Sequence, residues 1–195
     1  PVLIKFLEEE ENETFTSINR DLRIIIKALG DLKAVEAIPA LRAKLEVHGS
    51  SYDPGIGDAL LKIGKTSIPQ LVDVLETGSI SAKAEVAEIL GNMQAEEAIP
   101  GLIKALKISL CSCCTKAEQA LKKIGDKSVP QLMDSMREAI RETQEISSRA
   151  PHGPSSFAND ADRHAWDECK LQADGITRLF GELKAKQACP LLIGL

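Results

Sequence analysis

A block of eighteen residues occurs twice in this chain, 61 positions apart. Ala28 to Leu45 reads ALGDLKAVEAIPALRAKL, and Ile89 to Leu106 reads ILGNMQAEEAIPGLIKAL. A third version, Leu179 to Leu195, reads LFGELKAKQACPLLIGL. Two shorter relatives lie between them: Ala59 to Leu75, ALLKIGKTSIPQLVDVL, and Ala120 to Met136, ALKKIGDKSVPQLMDSM, again 61 apart. Each period therefore holds a long and a short unit of about 30 residues, the size of one helical pair in a repeat array. Such a unit has too little apolar surface to fold alone, so neighbouring pairs have to stack and share a core.

Glycine and proline punctuate every unit. Gly30, Gly64, Gly91, Gly125 and Gly181 each follow an apolar helical pattern. They are read as helix ends, where glycine tolerates the left-handed cap conformation. Pro39, Pro69, Pro100, Pro130 and Pro190 mark the start of the next helix, the position a helix tolerates proline best. Gly to Pro is nine residues in the long form and five in the short form. That difference is close to one helical turn, so both forms present the same face. Ser67 and Ser128 are read as N-caps of the short-form second helices.

After each proline the apolar residues keep helical spacing. The stripes are Ile38, Leu41, Leu45; Ile68, Leu71, Leu75; Ile99, Leu102, Leu106; and Val129, Leu132, Met136. The resulting pattern, LG…AIP.L…L, resembles the HEAT-like repeats of the phycobilisome-lyase type. The resemblance covers most of the chain outside roughly Thr143 to Asp162. It implies an all-α α-solenoid of about five stacked helix pairs, with an insertion between the fourth and fifth. The approximate repeats are 14–46, 52–76, 79–107, 112–142 and 160–195, with a partial repeat at 1–9 and the inserted loop at 143–162. The family often carries Arg eight residues before the glycine. Here only Lys83 places a base there, and Leu22, Ile56, Ala117 and Ala173 occupy the other positions.

Composition narrows the classes. Aromatic residues make up 3% of the chain, so the core has to be aliphatic, which packed helices tolerate better than β-sandwiches. A formal charge of −5 argues against a general nucleic-acid binder, because phosphate neutralisation needs a basic face. No apolar run reaches the roughly 18 residues of a membrane span. Five unevenly spread cysteines suggest reduced thiols in the cytoplasm rather than a secreted disulfide framework. The absence of an initial Met, and an array ending inside a second helix, lead us to expect part of a longer protein, with end-to-end self-association as the alternative.

The step from Gly125 to Gly181 is 56 residues, against 27 from Gly64 to Gly91. The extra segment includes the loop Ala150 to Asn159, with flanks that read as helix extensions. Phe157 in the loop and Trp166 just after it are candidate anchors for a partner, since aromatics dominate interface energetics. The simpler readings, which we favour, are a mobile surface loop and, for Trp166, a residue that packs the extended helices together. Cys111, Cys113 and Cys114 are close enough to hold a soft metal, yet no second cysteine pair completes a zinc pattern. Small buried or capping residues are the simpler reading. The Glu8–Glu11 run reads as a contact for a basic partner or as a solvated loop. Gly55-Ile56-Gly57 has no preceding strand and Leu60 in place of the third glycine, so it is not read as a dinucleotide loop. No motif calls for a cofactor or a catalytic metal.

The expected function is a non-catalytic scaffold for a protein partner. Second helices line the concave side of such an array, and the candidates there are Arg42, Gln70, Asp73, Lys104, Gln131 and Asp134. The resemblance also allows a bilin lyase or isomerase-like subunit handling a tetrapyrrole on phycobiliproteins. DNA binding in the groove is disfavoured by the acidic balance.

Overall fold

The computed structural model describes residues 2–9, 18–48, 54–107, 112–148 and 160–183. Its helices are α1 (Val2–Glu9), α2 (Ile18–Asp31), α3 (Ile38–His48), α4 (Pro54–Ile63), α5 (Ile68–Thr77), α6 (Ile80–Asn92), α7 (Ile99–Ala105), α8 (Ser112–Ile124), α9 (Val129–Ser148) and α10 (Asp160–Glu182). No strand occurs among the described residues.

The helices form two layers in chain order. First helices α2, α4, α6, α8 and α10 each contact the next along, and second helices α3, α5, α7 and α9 do the same. This is an all-α repeat solenoid. α1 packs on α2 and α3, the place of a preceding second helix. Between the layers lies one continuous core of Leu, Ile, Val and Ala, and Phe180 is its only buried aromatic residue among those described. All twelve residues of the four second-helix stripes are buried. α9 continues to Ser148 and α10 begins at Asp160, so both ends of the 143–162 insertion are helical. Residues 149–159 lie outside the described residues. Among those described, no helix is long and apolar enough to cross a membrane.

Four of the five glycine markers divide into two kinds, which corrects the expectation of a left-handed cap at each. Gly64 and Gly125 do have positive φ, 86° and 74°. In the long form the helix runs past the glycine, to Asp31 and to Asn92. There the left-handed residues are Lys33 and Gln94, both at φ 51°. Gly30 and Gly91 are required for closeness instead: a Cβ on them would meet the Cα of Ala59 at 2.7 Å and of Ala120 at 2.6 Å. Gly181 lies inside the last turn of α10, with nothing within 4 Å of an added Cβ.

The serine expectation also needs correcting. Ser67 has helical φ and ψ and makes no cap bond to α5. Its buried hydroxyl instead donates to the Gly64 carbonyl at 2.8 Å, as Ser128 does to Gly125 at 2.7 Å. The bond closes the 3-10 turn that leads from the glycine to the proline. A helix-capping serine missed in the sequence is Ser79, which has extended backbone and accepts from the Ala82 N–H at 3.2 Å.

Candidate functional site on the second-helix layer

Six candidate residues lie on successive second helices: Arg42 on α3, Gln70 and Asp73 on α5, Lys104 on α7, Gln131 and Asp134 on α9. Asp73, Lys104, Gln131 and Asp134 are exposed, and Arg42 and Gln70 are partly so. The layer is laced by ion pairs from one helix to the next. Arg42 Nη2 reaches Asp73 Oδ2 at 2.6 Å while its Nε donates to Glu46 Oε1 at 2.9 Å. The bond to Glu46 and then Asp73 hold the guanidinium pKa above its usual value, against partial burial. Lys104 pairs with Glu76 of α5 at 3.3 Å, and Lys107 with Glu142 of α9 at 3.6 Å.

Three of the six are brought together. Lys104, Gln131 and Asp134 border an open groove of about 370 Å³ between α7 and α9, with Pro100 and Ile103 along its wall. Arg42, Gln70 and Asp73 do not line this groove. Gln172 of α10 reaches into it from the other layer. It is only 4% exposed, and its Nε2 donates to Ser135 Oγ at 2.7 Å. Gln172, Ser135 and Lys107 carried no sequence signal. They belong to different repeats, and only the packing of the lengthened α10 on α9 makes them neighbours.

A second depression, of about 290 Å³, shares Lys107 with the groove and is lined by Glu142, Glu145, Ile146, Ala165, Glu168 and Cys169. The buried Cys169 thiol donates to Glu142 Oε2 at 3.1 Å. Burial, then the hydrogen bond and charge of Glu142, push its pKa up to about 11, with Lys107 opposing. A thiol so placed is a proton donor to its neighbour and a poor nucleophile at neutral pH.

Trp166 lies on α10, half-buried, with Lys170 Nζ 5.0 Å from its ring centre. It lines neither depression. Phe157 and Cys111 lie outside the described residues, as do Glu10 and Glu11 of the Glu8–Glu11 run, while Glu8 and Glu9 end α1. Cys113 is fully buried in the first turn of α8, and Cys114 beside it contacts Glu118 Oε1 at 3.8 Å. No group of three or more metal-ligating side chains assembles among the described residues. Gly55, Ile56 and Gly57 are simply the first turn of α4.

The opposite layer carries a polar ladder at the glycine end. Lys62 meets Asp31 at 2.5 Å, and 61 residues on Lys123 meets Asn92 at 2.6 Å. Lys122 pairs with Glu182, the equivalent acid of the fifth unit, at 3.3 Å. Lysine two or three residues before the short-form glycine thus joins adjacent units. Lys83, in the family's usual arginine position, instead donates to the Glu76 carbonyl at the end of α5, at 3.1 Å.

The family model for the PBS lyase HEAT-like repeat matches residues 22–46 and 82–107. These are the two long units, including the close-packed Gly30 and Gly91. The chain carries HEAT-like repeats at both places. No match was found among curated proteins or among solved structures. The short units, one between the matched segments and one after the second, are also helix pairs, with a shorter turn after the glycine.

Proposed function

We propose that this chain is a non-catalytic scaffold, cytoplasmic in setting, that holds a protein partner on the second-helix layer of its HEAT-like array. One observation carries the reading: Lys104, Gln131 and Asp134, from consecutive second helices, border a single open groove of mixed polarity. An open groove with both charge signs and an apolar wall suits a protein surface, where polar rims surround apolar contacts. It suits a polyphosphate poorly, since phosphate recognition calls for clustered cations.

The test is affinity capture with the chain as bait, beside a variant carrying Lys104→Glu, Gln131→Ala and Asp134→Lys. These side chains are exposed, so the variant is expected to keep the parent circular dichroism spectrum. Proteins retained by the parent and lost by the variant support the reading. Identical retention by both removes it. The repeat takes its description from a lyase, and a bilin-handling role is the competing reading. A visible absorbance shift on mixing the chain with phycocyanobilin would favour that role.

A further inference from the structure

In the long units the marker glycine is a notch for the next first helix. Gly30 and Gly91 are buried. Ala59 of α4 and Ala120 of α8 press on them so closely that an added Cβ would lie 2.7 and 2.6 Å from the alanine Cα. The polar ladder fixes the register. Lys62, three residues after Ala59, meets Asp31, which follows Gly30. Lys123, three residues after Ala120, meets Asn92, which follows Gly91. One turn before each alanine stand Ile56 and Ala117, both buried, and just after it come Leu60 and Leu121 in the core. A helix that fills a notch therefore carries Ile or Ala, then Ala-Leu three residues on, then Lys: Ile56, Ala59, Leu60, Lys62 in α4 and Ala117, Ala120, Leu121, Lys123 in α8.

α10 repeats the notch, and among the described residues no helix fills it. Gly181 is exposed, unlike Gly30 and Gly91, and an added Cβ on it would have nothing within 4 Å. Glu182 follows Gly181 as Asp31 and Asn92 follow their glycines. Its ion pair runs back to Lys122 of α8 with both side chains about half exposed. An exposed pair of this kind is weak, and an incoming ammonium can share the carboxylate at little cost. One turn before the glycine, exposed Thr177 stands where Ile26 and Ala87 are buried. Its hydroxyl donates to the Ala173 carbonyl of its own helix at 2.8 Å, so covering it leaves no hydrogen bond unmade.

We propose that this open notch docks a helix of a partner protein that carries the short-form pattern of α4 and α8. Its alanine seats against Gly181, where the missing side chain lets two backbones approach. Its lysine, three residues on, meets Glu182. The Ile or Ala one turn before the alanine covers Thr177, since residues a turn apart share a helix face. The site continues the stacking interface that already joins α2 to α4 and α6 to α8, and the same positions are filled in this way in both earlier long units. It lies on the first-helix layer, away from the groove between α7 and α9, and does not rest on the scaffold reading of that groove.

The test uses fluorescence anisotropy with the full chain and a fluorescein-labelled peptide of the α4 sequence, PGIGDALLKI. So short a helix is marginal alone, so a hydrocarbon staple joins positions 57 and 61, on the side that α4 turns toward Ile89 of α6. The peptide is expected to bind the parent chain. Ala59→Leu in the peptide, which leaves the chain untouched, should weaken binding at least tenfold. Gly181→Ala in the chain should do the same with the parent melting temperature retained. Glu182→Lys in the chain should weaken binding at least threefold, and Lys62→Glu in the peptide should restore it. No binding of the parent peptide, equal binding of the Ala59→Leu peptide, or no recovery in the charge swap overturns the proposal. So does sedimentation showing that the chain self-associates through this notch, with Gly181→Ala returning it to monomer, because a second copy is then the occupant.

Discussion

Gly91 approaches Ala120 so closely that a methyl group on the glycine would lie 2.6 Å from the alanine Cα. The obstacle is backbone and cannot swing aside. Gly91→Ala is therefore expected to destabilise the fold by about 1–3 kcal/mol through overpacking, outweighing its gain in helix propensity. Gly181 occupies the equivalent position in α10, but nothing lies within 4 Å of an added Cβ. Gly181→Ala is expected to be neutral, or to stabilise by up to about 1 kcal/mol. Urea unfolding of the two variants checks the contrast. A Gly91→Ala midpoint at or above the parent value would show that α6 and α8 can separate freely.

Gly64 has ample space and is constrained by its backbone alone. Its φ of 86° and ψ of −150° fall in a region that is essentially glycine-only, where other residues incur about 1–3 kcal/mol. Gly64→Ala is expected to lower stability by that amount, and Gly64→Asn to give no rescue, because asparagine favours the left-handed helical region instead. A stability for Gly64→Asn equal to that of the parent would contradict the assigned geometry.

Cys169 gives a pH dependence. Its pKa is pushed up to about 11 from an ordinary 9.0, by burial first and then by Glu142. A raised folded-state pKa means that the stabilising contribution is complete below pH about 9 and is lost as pH rises toward about 11. Native alkylation of Cys169 at pH 8 is expected to be slower than that of the half-buried Cys114. Glu142→Gln removes the accepting carboxylate and is expected to lower the Cys169 pKa. Mass-spectrometric mapping of alkylated sites against pH reads both effects.

Asp31 shifts the other way. The hydrogen bond from Lys62 holds its carboxyl below the usual range, with the Lys62 and Lys27 charges adding to it. The contribution of this ladder rung is present at neutral pH and fades as pH falls through the depressed value. Lys62→Met is expected to return the Asp31 titration, followed by carbon-detected NMR of the side-chain carboxyl, toward the ordinary aspartate range. An unmoved midpoint would place the cause elsewhere.

The residues that reveal the repeat do so because they act locally. Pro100 starts a helix by its ring geometry, and Leu102 and Leu106 reach the core through helical period alone. Local roles of this kind repeat every 61 residues and are legible in one sequence. Gly30 and Gly64 look alike in the same sequence yet do different work, because one is set by a neighbouring helix and the other by its own backbone. Lys104, Gln131 and Asp134 could be placed on solvent-facing second-helix positions, but their closure around one groove could not.

The order of helices, the two-layer stack and its aliphatic core were determined by the sequence itself, since periodicity and punctuation act within a single unit. Tertiary structure alone decided which residues border the two depressions: Lys107 lies in the turn after α7, Glu142 on α9, and Cys169 and Gln172 on α10, with Glu142 and Gln172 thirty residues apart in the chain. The insertion lengthens α9 and α10 until they lie against one another. Which polar side chains such a contact brings together depends on the distance and rotation between whole helices, a quantity that no local pattern encodes.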